Sequence, residues 1–430
     1  MANSGIGTLF KWSVMILVVM MLLVGGWYSL RLSQFQTMTE QLKDDGYPVS
    51  MSELQHDVDE GQIDALPLML RVKPLLRQFG KELNDLSVKF GASGGISCSG
   101  HEFASFDETE VVELQLLLQR HEELSQFVDE ILDADDVTVK TTPVLNGSVK
   151  RGEDDFGFLV MELIELGQFS LMRSRILNES GNGEGAVANG LKTIQFAELI
   201  SERNDGWFSC SYAAFLAHCG MQAVYEAISR HPVSDASFDE INRVIDHFDV
   251  FRYWNQAAIA DRATAIEHLL DQGIQHAAIN GVCVLKFYAD AAEKMQQEVF
   301  EYGYEKVEYT AWEHGPWLVS QGQVFDIGLI PNQIAQLAKL RGLRIIAALI
   351  QHEVSAEEFE GAADKQARLV SLGVPEEMTR DTCTGDLMQV KFVNGMWRAY
   401  SVGLDGNDDG GVLVADPGLV WLPESELGED

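Results

Sequence analysis

The chain is predicted to be mainly α: an N-terminal transmembrane helix, a helical, bundle-like body, and a small C-terminal α+β unit with a β-hairpin. Three observations lead there. Trp12 to Leu30 is an uncharged, largely apolar run. Apolar residues then recur at helical spacing through most of the chain up to residue 331. Beyond residue 332 the texture changes, ending in two short apolar runs on either side of Asn394-Gly395.

The anchor comes first. About 20 apolar residues rising 1.5 Å each cross a hydrocarbon core of roughly 30 Å, and Trp12 to Leu30 has that length. Trp12 lies at one end and Trp27 and Tyr28 at the other, where aromatic belts are found. A cleaved signal peptide is the competing reading. It would have a shorter apolar region and small residues at its cleavage site, and here bulky Trp27 and Tyr28 occupy that zone. Lys11 before the run and Arg31 after it leave the charge rule nearly silent. A short leading segment favours the N-terminus inside, with the rest of the chain outside the cytoplasm. The expected division is 1–11 as a short cytoplasmic N-terminus, 12–30 as anchor, 31–331 as helical body and 332–430 as the α+β region.

Residues 31–90 read as helical around a Gly46-Tyr47-Pro48 turn, with Ser50 to Leu54 resembling a capped helix start. Leu68, Leu75, Leu76, Phe79, Leu83 and Leu86 set a helical stripe over 66–86. A Gly/Ser loop, Gly91 to Gly100, precedes one strong helix over 108–132. Further helices are expected over 156–177, 186–201, 208–229, 238–248, 257–272 and 274–302, separated by Gly-, Asn- and Pro-containing breaks. Antiparallel helices joined by short loops are the simplest packing for such a string. No fixed-period repeat is present.

The last region opens with a helix over 334–351 and a short helix over 356–372. Met388 to Val393 and Trp397 to Val402 then suit a hairpin turning at Asn394-Gly395. The ending carries Asp405, Asp408, Asp409, Asp416, Glu424, Glu426, Glu429 and Asp430 with no Lys or Arg after residue 400. Such a tail is either solvated or holds a cation.

Charge narrows the function classes. Acidic residues number 66 against 31 basic ones, a net charge of −35. A surface that negative repels phosphate backbones, which argues against nucleic-acid binding. Five cysteines in 430 residues do not make a disulfide framework.

The sharpest chemical motif is Asp405-Gly406-Asn407-Asp408-Asp409-Gly410, with Asp416 six positions on. It fits the calcium-loop spacing of alternating oxygen side chains, with Asp in place of the final Glu. Asp405, Asn407, Asp409, the Gly411 carbonyl and Asp416 are the candidate Ca²⁺ ligands. Two departures stand against an EF-hand: the flanks read as strand, and the Asp416 side chain is shorter than Glu. A solvated Asp/Gly/Asn turn is the alternative. Other constellations read as structural. Gly91-Ala92-Ser93-Gly94-Gly95 matches the nucleophile-elbow pattern but lacks the strand before it. Cys210 and Cys219 lie too far apart on one helix to bond, and Cys98 with His101 is too sparse for zinc. Asp133, Asp135 and Asp136 suit a polar helix end. The aromatics Phe248, Phe251, Tyr253 and Trp254, and Tyr302, Tyr304, Tyr309, Trp312 and Trp317, suit a core better than a ligand groove.

Several segments resemble a group of membrane-anchored bacterial proteins, chiefly from planctomycetes and relatives. These are Leu337 to Ile350, Leu369 to Pro375, Arg380 to Gly385 and, most closely, Tyr400-Ser401-Val402-Gly403-Leu404-Asp405-Gly406-Asn407-Asp408-Asp409-Gly410-Gly411. That ending is also similar to the C-terminal region of type II secretion major pseudopilins. The resemblance implies a calcium-binding acidic loop, a pseudopilin-like C-terminal region, and envelope or secretion-machinery partners. The chain departs from the group where Gln351 to Ser355 replaces an H-G-x-Y-P segment and where Arg380-Asp381 lacks a D-P. It also lacks a pilin's N-terminal helix signature, so a pilus subunit is not expected. Upstream, Gly46 to Leu54 and Ala260-Asp261-Arg262-Ala263 resemble the group more weakly. No activity attaches to the group, so the likeness implies placement rather than a reaction. The expected function is a non-enzymatic, single-pass scaffold or interaction protein of the inner membrane, with its bulk in the periplasm. An envelope hydrolase or a helical ligand-binding module is the alternative.

Overall fold

The structure is a computed structural model that describes residues 3–54, 63–90, 108–132, 137–138, 156–202, 207–271, 274–294, 296–297, 330–403, 406–408 and 418–419. Its described part is mainly helical, with one long apolar helix at the N-terminus and a small antiparallel sheet near the C-terminus.

The first helix, α1 (Asn3–Asp44), runs unbroken through the apolar segment and beyond it. It is the one described helix long and apolar enough to cross a membrane, and its apolar window makes no buried contact with the rest of the chain. Met15 to Val24 are all exposed. Two turns past Tyr28 the environment inverts: Phe35 is buried, packed with Ile266, Ala277, Val282 and Leu285. Its ring lies where a Cβ on Gly281 would sit, so the helix carrying Gly281 can approach only because that residue has no side chain. The helix ends as the Gly46-Tyr47 pair predicts. Gly46 takes φ +82°, and the Tyr47 N–H returns to the Leu42 carbonyl, a Schellman cap. The Tyr47 ring then covers the Arg262 guanidinium at 4.8 Å. Helix α2 (Met51–Leu54) follows, with Glu53 accepting from the Val49 N–H.

Helix α3 (Leu66–Lys89) buries Met69, Val72, Leu76, Phe79 and Leu83; of the stripe read from the sequence, Leu76, Phe79 and Leu83 are in the core, while Leu68, Leu75 and Leu86 pack half-buried against it. The single helix expected over 108–132 is two, α4 (Glu108–Arg120) and α5 (Glu122–Leu132). They part at His121, whose ring is buried edge-on against Phe79 at 5.5 Å. The step lets Leu114, Leu117 and Leu118 on one side and Leu124, Phe127 and Ile131 on the other reach one core. Two-residue strands β1 (Ile63–Asp64) and β2 (Val137–Thr138) pair in parallel nearby.

The centre of the body is α6 (Phe156–Glu179), α7 (Gly183–Ser201) and α8 (Trp207–Arg230), which pack on one another more than on anything else. Where α7 crosses α8, Gly190 faces Gly220. A Cβ on Gly220 would lie 2.6 Å from the Gly190 carbonyl oxygen, and one on Gly190 would lie 2.8 Å from the Gly220 oxygen. Both clashes are with backbone, so relief means parting two helices. Gly220→Ala is therefore expected to cost about 3 kcal/mol, at the upper end for overpacking. Chemical denaturation of the variant checks this, and a midpoint within 0.5 kcal/mol (roughly the noise for a neutral surface change) would contradict the crossing.

Helix α9 (Asp235–His247) is capped by Ser234, whose side chain accepts from the Ser237 N–H. Helix α10 (Val250–Asp271) starts seven residues before the periodicity suggested, because Tyr253 and Trp254 are core residues rather than loop. Helix α11 (Ile274–Lys294) then returns along α10 and α1.

Helix α12 (Ile330–Gln351) begins the last region and is its hub. Arg341 to Leu349 are all buried, between α8, α9 and α10 on one side and the sheet on the other. The segment expected as one helix over 356–372 is two, α13 (Ala356–Glu360) and α14 (Lys365–Ser371). Gly361 ends the first, and Asp364 caps the second by accepting from the Ala367 N–H at 2.9 Å. Strands β3 (Gln389–Val393) and β4 (Met396–Tyr400) form the expected hairpin. Its turn places Asn394 at φ +53° and Gly395 at φ +83°, the type I′ geometry that Asn-Gly favours. Strand β5 (Gly418–Leu419) adds to β4 at the other edge. One hydrophobic cluster runs from α3 through α8 and α12 to β4, so packing is continuous across residue 331. Two buried hydrogen bonds stitch it: Tyr225 Oη to the Trp397 carbonyl at 2.9 Å, and Trp254 Nε1 to Gln336 Oε1 at 2.8 Å.

Candidate functional site

The acidic loop leaves the end of β4. Of its predicted ligands Asn407 lies among the described residues and is exposed, while Asp405, Asp409, Gly411 and Asp416 lie outside them. Gly406 takes φ +69°, a turn conformation suited to glycine. Asp408 is held: it accepts from Lys391 Nζ at 2.7 Å and from Tyr400 Oη at 2.8 Å. The hairpin register explains the pairing. Lys391 lies opposite Arg398, which puts Tyr400, two residues on, diagonal to Lys391 on the same face. Burial pushes the Tyr400 hydroxyl up to about 12. Burial works against the Lys391 ammonium, but Asp408 and Tyr400 outweigh it and hold the group above its ordinary value. The donor chemistry fits a hard cation in one respect. An alternating set at 405, 407 and 409 does not draw on Asp408, whose carboxylate is spent on the sheet. No cluster of three His, Cys, Asp or Glu side chains suited to a metal occurs among the described residues.

Behind the loop sits a buried carboxylate that spacing arguments missed. Asp381 is 1% exposed. It accepts from the Cys383 N–H at 2.7 Å, Ser401 Oγ at 2.9 Å and the Val402 N–H at 2.8 Å. It ties the 381–386 turn to the end of β4, directly before the loop. Arg341 and Arg344 of α12 reinforce the same end through the carbonyls of Arg380 and Gly373.

Two further polar clusters lie in the body. Glu162 and Glu165, one turn apart on α6, face α3. Arg77 pairs with Glu162, and the Glu165 carboxylate fills the space left by Gly80. Burial, with Glu162 adding to it, pushes Glu165 above its ordinary value. Between α5, α6 and α7, Ser170, Asn189 and Thr193 share hydrogen bonds beside a cavity of about 20 Å³. That volume holds about one water and no organic substrate.

The remaining sequence candidates are placed as follows. Cys210 and Cys219 are both buried along α8, and burial pushes the Cys210 thiol well up. Phe248, Tyr253 and Trp254 are buried in the core. Ser93, Cys98, His101, Asp133, Asp135, Asp136 and the aromatics from Tyr302 to Trp317 lie outside the described residues. No family model, curated protein or solved structure matches the chain.

Proposed function

We propose that this chain is a non-enzymatic, single-pass scaffold of the cell envelope, with its helical body on the outer side of the inner membrane. One observation carries the reading. The helix with the exposed apolar surface is the same unbroken helix that buries Phe35 in the body. A flexible tether would leave the body free to tumble. A continuous α-helix docked on α11 fixes its height and tilt relative to the bilayer, as presentation of a binding surface to envelope partners requires. The likeness of the Tyr400 to Gly411 ending to the C-terminal region of type II secretion major pseudopilins supports the outward placement and points to secretion-machinery partners. In this reading Ca²⁺ neutralises the carboxylates of Asp405 and Asp409, and Asn407, Gly411 and Asp416 complete the set. Such binding couples to local folding, so the metal stabilises the loop by mass action.

Two measurements test it. The full chain should stay in the membrane pellet after alkaline carbonate extraction, and a reporter fused after residue 430 should be active only outside the cytoplasm. Recovery in the soluble fraction would remove the anchor. Titration of Ca²⁺ into the detergent-solubilised chain should give one saturable site, lost in Asp405→Ala and in Asp409→Ala. Absence of heat at millimolar calcium, the weak end for extracellular calcium modules at roughly 10⁻³ M, would leave the loop as a solvated turn.

A further inference from the structure

We propose that the groove where α1 leaves its apolar segment is a binding site for the phosphate headgroup of an anionic membrane phospholipid. The groove has a volume of about 580 Å³ and lies between α1 and α11. Trp27, Leu30, Arg31 and Gln34 line it from one side, and Val282 and Lys286 from the other.

The first argument is charge. Acids outnumber bases 66 to 31 in this chain, yet the groove is lined by two bases and no acid. Neither Arg31 nor Lys286 has an acidic partner among the described residues. Two cations facing one cavity repel each other, and an anion between them removes that cost.

Height is the second argument. Arg31 is the first charge after the uncharged run that begins at Trp12. A run of that length spans the hydrocarbon, so Arg31 sits where acyl chains give way to phosphates. Helix α11 brings Lys286 to the same level, one and a half turns past Gly281, the residue that touches Phe35.

The chemistry of the lining is the third. A guanidinium offers paired donors to phosphate oxygens, and an ammonium adds a compact positive charge. The Arg31 guanidinium lies 5.8 Å from the centre of the Trp27 ring, which limits its freedom before any lipid arrives. Trp27, Leu30 and Val282 provide the apolar wall along which the glycerol and upper acyl chain run.

This site rests on the membrane-anchor reading, and the test separates the two. The full chain is assembled into nanodiscs of phosphatidylcholine with phosphatidylglycerol, and retained lipid is counted by native mass spectrometry. One phosphatidylglycerol per chain is expected, in preference to phosphatidylcholine. Each charge near an anionic lipid surface is worth roughly fivefold in affinity, so Arg31→Gln and Lys286→Gln together should weaken retention about 25-fold. Arg31→Lys with Lys286→Arg should retain the lipid, showing that charge rather than folding is read. Equal retention by the Gln pair, or no preference for phosphatidylglycerol, would overturn the site while leaving the anchor intact. Displacement by soluble glycerol phosphate would assign the groove to free phosphate and overturn the lipid assignment. A chain that never enters the nanodisc removes both site and anchor.

Discussion

Glu226→Ala is expected to destabilise the body by about 3–5 kcal/mol, the range for removing one partner of a buried ion pair. Glu226 on α8 and Arg175 on α6 are 3% and 5% exposed. Two hydrogen bonds join them, Arg175 Nε to Oε2 at 2.9 Å and Nη2 to Oε1 at 2.7 Å. Gln222 adds a third to Oε1 at 3.0 Å. Removing the carboxylate takes from the buried Arg175 guanidinium the charged partner that its Nε and Nη2 reach inside the α6–α8 interface. Replacing both residues, as Arg175→Met with Glu226→Leu, should cost far less and can be neutral, because the desolvation of both charges disappears with their attraction. The double-mutant cycle separates these outcomes, and a Glu226→Ala cost under 1 kcal/mol (about that of an exposed pair) would contradict the burial. Burial alone would raise the Glu226 carboxyl, but Arg175, Gln222 and Arg230 outweigh it, so the group sits below its ordinary value of 4.5. The pair's contribution is therefore complete above that value and is lost as pH falls through the lower folded pKa. The apolar double variant should lack this acid-side loss.

Much of the architecture was legible because it is local. An uncharged run, an Asn-Gly turn between apolar runs, and helical periodicity are properties of neighbouring residues. They located α1, the β3–β4 hairpin and most of the body. The errors fall where tertiary packing overrides local pattern. His121 carries no breaker chemistry; it interrupts α4 and α5 because its ring packs on Phe79. Tyr253 and Trp254 read as core aromatics lying ahead of the expected helix start; their polar atoms reach Glu198 and Gln336, and α10 extends over them. The Gly190–Gly220 contact joins two helices whose spacing says nothing about their crossing.

The candidate sites divide in the same way. The acidic loop announces itself by the spacing of 405, 407 and 409. The role of Asp408 follows only once the hairpin register brings Lys391 and Tyr400 onto one face. Arg175 and Glu226 lie 51 positions apart, and a lone Arg and Glu within apolar helices carry no pairing signal. The groove at Arg31 joins residues more than 250 positions apart along the chain, a juxtaposition only the docking of α1 on α11 creates.

Asp381→Ala is expected to cost about 3–5 kcal/mol and to loosen the C-terminal sheet selectively. Each hydrogen bond to a charged group contributes roughly 1.5–3 kcal/mol, and three short ones end on this carboxylate. With it gone, the Val402 N–H and the Ser401 hydroxyl lose their acceptor inside the fold, and the half-buried Cys383 N–H loses it too. Asp381→Asn keeps the shape but sets an amide N–H₂ against a backbone N–H on one side, so it should fall between wild type and Ala. The damage has a direction. The turn at 381–386 is closed by Gly385 donating to the Asp381 carbonyl and by Asp381 donating to the Asp386 carbonyl at 2.6 Å. Asp381 carries that turn onto the last residues before the acidic loop. Hydrogen exchange should therefore rise first at Cys383 and Val402, while amides of α7 and α8 stay protected. If α7 and α8 lost protection together with Val402, the C-terminal unit would be an inseparable part of the body's folding. If Val402 were unchanged in Asp381→Ala, the carboxylate would not be its partner. Because the loop begins just past Val402, the same variant should also weaken the proposed Ca²⁺ binding at Asp405 and Asp409, since the chain leading to them would no longer hold its position.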